Sequence, residues 1–207
     1  MSHTSVTGAP GAMLVVISGP SGVGKDTVLH VLKERQPKTP RHYVITYKSR
    51  ARRPDEVDGV DYYFVGTDRF ARLRNEDAFL ETADVYGQWS GTPIDQVMAA
   101  LEAGKDVVLK VDVQGARSVR QKVPNAVLIF VAPESSAALR HQLIGRNTED
   151  GEELQRRLAA ADLEMASQPE FDYVVVNRTD RAAETAEEIE RIIAAEHDLH
   201  PHRQIRI

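Results

Sequence analysis

The stretch GPSGVGKDT, residues 19–27, lies between the apolar run MLVVIS (13–18) and the segment DTVLHVLKERQP (26–37). A continuous apolar run ending in a turn reads as a strand buried on both faces. Val28, Leu29, Val31 and Leu32 form a helical stripe that Pro37 closes. Strand, glycine-rich turn and helix in that order let backbone N–H groups converge on a phosphate, and the helix N-terminus with Lys25 adds positive potential. Gly19, Gly24 and Lys25 stand at the spacing of a nucleotide phosphate loop. The next position carries Asp26, where that pattern places a Ser or Thr hydroxyl for Mg²⁺. Gly19, Pro20, Ser21, Gly22, Val23, Gly24, Lys25, Asp26 and Thr27 together form the candidate nucleotide-binding element.

Outward from the loop, DVVLKVDV (106–113), AVLIFVAP (126–133) and DYVVVN (172–177) are further apolar runs separated by helix-like segments. That rhythm predicts an α/β fold with a parallel sheet flanked by crossover helices. The core is expected over 13–40, 92–144 and 159–196. Between 41 and 91 the texture changes to short alternating pieces, YVIT, YYFV and FLETADVY, around the Arg-rich turn KSRARRPDEVDGVD, which reads as a mixed β insertion. The segment from 145 to 158 opens with charged turn residues and becomes helical, as a mobile lid would. Residues 1–12 and 197–207 are expected as tails, with His197, His200 and His202 solvated rather than bound to metal.

A chain of 207 residues with 42% hydrophobic content suits one α/β domain with a small excursion. It has no cysteine, which excludes disulfides and thiolate metal sites and is compatible with a reducing cytoplasm. MLVVIS is too short to span a bilayer, and MSHTSVTGAPGA lacks the basic start and apolar stretch of a signal peptide. A cytoplasmic protein without a membrane partner is therefore expected, as monomer or homodimer. The net charge of −5 disfavours broad nucleic-acid binding, so the basic residues that matter should be clustered.

The blocks ISGPSGVGKDT, RARRPDEVDGVDYYFV, FLETADVYGQWSGTP, VDVQGA and VVVN occur in an order that resembles the guanylate kinases, over nearly all of residues 13–196. The resemblance implies a P-loop kinase core, a β-rich GMP-binding region and a helical lid closing on ATP and GMP, with Mg²⁺ accompanying ATP. It implies transfer of a phosphoryl group from ATP to GMP, or to dGMP, giving ADP and the nucleoside diphosphate. By position, it sets the GMP phosphate against Arg50, Arg53 and Tyr62, where two guanidiniums and a phenol can grip several oxygens of a dianion. Glu81 matches the carboxylate that accepts from guanine, and an acceptor-only group there favours guanine over adenine. Thr46, Ser90, Thr92 and Asp112 match further positions of the GMP site. Arg146 and Arg157 match lid arginines that, with Lys25 and Arg50, act on the transferred group, and Asn177 matches a position near adenine.

Several positions depart from the family's common pattern, which has Ser or Thr at 26, Asp or Glu at 110, Tyr at 90, Arg at 142 and a Thr pair at 48 and 49. Here stand Asp26, Lys110, Ser90, Gln142, Lys48 and Ser49. Trp89 or Lys48 could compensate for the missing phenol at 90. The changes at 26 and 110 look like one exchange: Lys110 is expected within salt-bridge range of Asp26, roughly 4 Å or less, with Asp26 still meeting Mg²⁺ directly or through water. Ribose 1,5-bisphosphate kinases resemble guanylate kinases and can carry the same loop, but Glu81, Thr92 and VDGVDYYFV argue for a guanine nucleotide. A phosphopeptide-binding guanylate-kinase-like module is the other reading, and such modules have typically lost the phosphate loop that this chain keeps.

Overall fold

The computed structural model describes residues 7–207 apart from 36, 38, 86 and 146–150. Five strands, β1 (Leu14–Ser18), β2 (Arg41–Tyr43), β7 (Asp106–Lys110), β8 (Val127–Pro133) and β9 (Tyr173–Asn177), form a sheet in the order β2-β7-β1-β8-β9. Every pairing in it is parallel. Burial on both faces explains the unbroken apolar runs of β1, β7 and β8, whereas the edge strand β9 leaves Val174 and Val176 exposed, and alternate residues of β1 feed two cores. Met13, Val15 and Ile17 pack with Val28, Leu29 and Leu32 of α1 (Lys25–Glu34) and with Ala186, Ile189 and Ile193 of α7 (Ala182–Leu199). Leu14 and Val16 pack on the other side with Val97 and Leu101 of α3 (Ile94–Glu102) and Ala116 and Val119 of α4 (Val113–Lys122).

A second, mixed sheet, in the order β4-β3-β6-β5, is built from β3 (Tyr47–Lys48), β4 (Tyr63–Phe64), β5 (Phe79–Val85) and β6 (Gln88–Pro93). The expected mixed β region is there, but it also contains a helix, α2 (Gly66–Asn75). That helix buries only Phe70, too little to write a helical stripe in the sequence. Phe70 stacks on Phe79 with centroids 4.7 Å apart and lies 6.2 Å from Trp89, giving the second sheet its own aromatic core.

Three boundaries differ from expectation. Residues 41–43 pair with β7 and so belong to the core sheet, not to the insertion; three half-buried residues carry no apolar alternation to reveal it. Residues 7–12 and 197–207 are not loose ends. Gly8 N–H donates to Ile205 O at 2.9 Å, Gly11 N–H donates to Arg203 O at 3.0 Å, and Ile205 is fully buried. His197, expected in solvent, holds the buried Asp106 carboxylate through Nε2 at 2.8 Å. Finally, α5 (Ser136–Gly145) precedes α6 (Gly151–Met165), which runs unbroken past 158.

Candidate active site

The loop after β1 is drawn tightly against the sheet. Gly19 has φ +139°, and a Cβ there would stand 2.2 Å from the backbone oxygen of Val131 in β8, so no larger residue fits. The loop is held from below by Asn177, whose Nδ2 donates to Val23 O at 2.7 Å while its Oδ1 accepts from Thr185 at 2.8 Å. Both ends of that buried amide are engaged by protein groups, so Asn177 supports the loop from beneath. Lys25 curls over the loop, its ammonium donating to Gly19 O at 2.6 Å and Pro20 O at 3.0 Å. Burial pushes its pKa down, and the Glu164 and Asp26 carboxylates pull it back up. Thr27 is exposed on α1.

Sequence reasoning missed Glu164. From α6 its carboxylate reaches the loop and accepts the Ser21 N–H at 3.0 Å, where an anion can engage a loop donor. Burial raises its pKa, the Ser21 hydrogen bond and Lys25 opposing. Nothing in LEMA marks that contact, because its two partners are 143 residues apart.

Opposite the loop, the second sheet presents a further set of polar side chains. In the β5–β6 pairing Phe79 faces Pro93 and Glu81 faces Thr92, so Leu80 forms a bulge that re-aims the strand. Leu80 thus enters the core while Glu81 and Thr92 become a cross-strand pair, both buried, with Thr92 Oγ1 donating to Glu81 Oε1 at 2.6 Å. Glu81 points at the start of α4: a Cβ on Gly115 would lie 2.8 Å from its Oε2. Asp112 caps that helix, accepting Gly115 N–H at 2.7 Å. Burial pushes Glu81 up to about 7, with the Thr92 hydrogen bond opposing and Asp112 assisting. Thr46 is buried at the same edge and its carbonyl accepts Tyr63 N–H at 2.9 Å.

The two sides meet at Tyr62. Lys110, at the C-terminal end of β7 beside Ile17, forms an ion pair with Asp26 at the start of α1, as expected, and also donates to the Tyr62 hydroxyl at 2.8 Å. Asp26 is 76% exposed at this mouth. Lys48 faces Ser90 across the β3–β6 pairing and donates to its Oγ at 3.0 Å, so it stands where the phenol is missing. Trp89 does not: its ring lies under the Arg74 guanidinium at 4.4 Å. Arg50 is near the Tyr62 ring at 5.8 Å and is gripped by Glu56 through hydrogen bonds of 2.7 and 2.5 Å. That guanidinium holds Glu56 down at about 2. The side chain of Arg53 is exposed on the turn, while its backbone N–H donates to Glu56 at 2.9 Å.

Mg²⁺ takes oxygen ligands, retains water and is commonly held by one or two carboxylates plus substrate phosphates. A single exposed carboxylate, Asp26, beside the loop fits such an ion arriving with ATP. Among the described residues no group of three or more His, Asp or Glu could hold a metal by itself. Of the lid arginines, Arg157 lies half-buried on α6 and Arg146 lies outside the described residues. A depression of ≈ 720 Å³ lined by Arg120, Asp172, Glu196, His200 and Arg203 contains none of these groups, whereas a cavity of ≈ 120 Å³ is bounded by Asp26, Thr46, Tyr62 and Lys110.

No described helix is long and apolar enough to cross a membrane. The sequence profile of the guanylate kinase family matches residues 11–196. Guanylate kinases of Mycobacterium bovis and Mycobacterium tuberculosis are each 46% identical over 175 residues, 83% of this chain and 83% of the relative. The crystal structure of guanylate kinase from Anaplasma phagocytophilum superposes with a TM-score of 0.70 at 30% identity, covering 90% of this chain and 86% of that one. With the phosphate loop and the second sheet arranged on one edge of the core, and with a profile match across most of its length, the chain belongs to the guanylate kinase family.

Proposed function

We propose that this chain phosphorylates GMP with ATP by holding the donor on residues 19–27 and the acceptor on the second sheet. As a member of its family it transfers the γ-phosphoryl group of ATP to GMP, giving ADP and GDP. An oxygen of the GMP phosphate attacks the γ-phosphorus, the bond to the β,γ-bridging oxygen breaks, and ADP leaves with that electron pair. Such a transfer needs alignment and charge stabilisation, not a covalent protein nucleophile.

Lys25 leaves the Gly19 and Pro20 carbonyls for the β- and γ-phosphates of ATP. Arg50, Arg53 and Tyr62 hold the GMP phosphate, and Arg146 and Arg157 come in from the lid to offset charge on the transferred group. Glu81 and Thr92 read guanine, Asp112 completes that edge, and Thr46 and Ser90 line it. Asp26 would hold Mg²⁺, directly or through water; the ion, when bound, neutralises charge on the donor phosphates. In the free protein Lys110 offsets the carboxylate that replaces the usual hydroxyl. The cysteine-free sequence and the two substrates suit the cytoplasm.

The observation that supports this most is the buried Glu81–Thr92 pair, an acceptor held below the surface and aimed at α4. ADP formation should be measured with GMP, AMP, UMP and ribose 1,5-bisphosphate as acceptors. GMP should be preferred by a wide margin, dGMP following; equal turnover of AMP and GMP would refute the role of Glu81.

A further inference from the structure

Three cations surround one aromatic ring. The Lys48 and Lys110 ammonium groups each lie 4.8 Å from the centroid of Tyr62, and the Arg50 guanidinium lies 5.8 Å from it. Lys110 reaches the Tyr62 hydroxyl and Lys48 reaches Ser90 Oγ. Glu56 offsets Arg50, and Asp26 with the Tyr62 hydroxyl engages Lys110, which leaves Lys48 the least offset of the three. Asp26, which pairs with Lys110, is largely in solvent, where an ion pair contributes little. Lys48 bonds to a neutral hydroxyl, and burial together with Lys110 and Arg50 pushes its pKa down to about 8, with Asp112 and Glu81 opposing. Half-buried like charges weaken the free protein unless an anion joins them.

We propose that Lys48 and Lys110 are a phosphate-gripping pair around Tyr62 that, with Arg50, completes the subsite for the acceptor's phosphate dianion. Lys48 supplies an ammonium in place of the phenol absent at Ser90, and Lys110 swings from Asp26 and the Tyr62 hydroxyl toward a phosphate oxygen. The ligand class is a nucleoside monophosphate, and the contact is to its phosphate alone. This rests on the acceptor phosphate lying at Arg50 and Tyr62.

Titration calorimetry of the full chain with GMP and with guanosine tests it, using Lys48→Met, Lys48→Arg, Lys110→Met, Arg50→Ala and Tyr62→Phe. Lys48→Met and Lys110→Met should each weaken GMP about tenfold and leave guanosine within about twofold, since only GMP carries the phosphate. Lys48→Arg should bind GMP more tightly than Lys48→Met. Lys48→Met should melt no lower than the unmutated protein, because it removes a poorly compensated charge. Equal weakening of GMP and guanosine, or unchanged GMP affinity, in the two lysine variants would overturn the pair. If Arg50→Ala and Tyr62→Phe weaken GMP while the lysine variants do not, only the lysine pair falls. If none of these variants affects GMP, the placement of the phosphate falls with it.

Discussion

The donor and acceptor sides of this site are made of different material. The donor side is backbone: nine consecutive residues, a glycine pressed against β8 and one lysine closing over the loop. Side chains build the acceptor side, from β3, β5, β6, the turn before β4 and the cap of α4. Backbone donors cannot be removed one at a time, so loss of function on the donor side should concentrate in Lys25. On the acceptor side the energy is divided, and substitutions should act in graded and partly separable ways.

Lys25→Ala breaks that comparison most severely. Among the described residues its ammonium donates to two loop carbonyls, so the variant should keep the fold and melting temperature while kcat falls by about 10²–10³. Near-normal ADP formation would remove Lys25 from the transfer step.

Glu81 gives the largest expected effect on the acceptor side. Glu81→Gln should lower kcat/KM for GMP at least about tenfold, roughly 1.4 kcal/mol, without raising turnover of AMP to match. With the free carboxyl pushed up to about 7, its charge is costly to the fold above that pH and the cost fades as pH falls toward the ordinary carboxylate range. If Glu81 reads guanine as a carboxylate, GMP affinity should rise between pH 6 and 8, whereas Glu81→Gln should flatten that rise and stabilise the free protein at pH 8. A GMP affinity independent of pH over this interval would contradict the assignment.

The seam between the two sides is probed by Asp26→Ser, Lys110→Asp and their double variant, which restores the family's residues. Each single change should impair turnover, and the double should recover by about 1 kcal/mol beyond additivity, since the two side chains touch. Strict additivity would separate them.

Smallest is the effect expected at Glu164. A phosphate entering the loop must compete with this carboxylate for the Ser21 N–H, so Glu164→Gln should tighten ATP about threefold in equilibrium titration. Weaker ATP binding would show that Glu164 supports the loop instead. Hydrogen exchange across 155–160 should slow when GMP and a non-hydrolysable ATP analogue are bound together, as a closing lid requires.

The donor loop and the four apolar strands were legible because their signals are local: consecutive residues with a fixed backbone need, or short continuous apolar runs. The blocks shared with the family carried the acceptor residues and the Asp26–Lys110 exchange. Strand β2, helix α2 and the packed termini were not legible, since each is held by contacts with distant parts of the chain and carries no periodicity of its own.

By itself, then, the sequence determined a parallel α/β core, a phosphate loop and the chemical types gathered for a guanine nucleotide. Only the tertiary structure decided how those types share their charges. It turned Asn177 beneath the loop, set Glu164 on Ser21, and brought Lys110 to Asp26 across 84 residues and Lys48 to Ser90 across 42. A residue's type sets what it can donate or accept, but its partner and its pKa depend on burial and neighbouring charge, which exist only after strands far apart in the chain have paired.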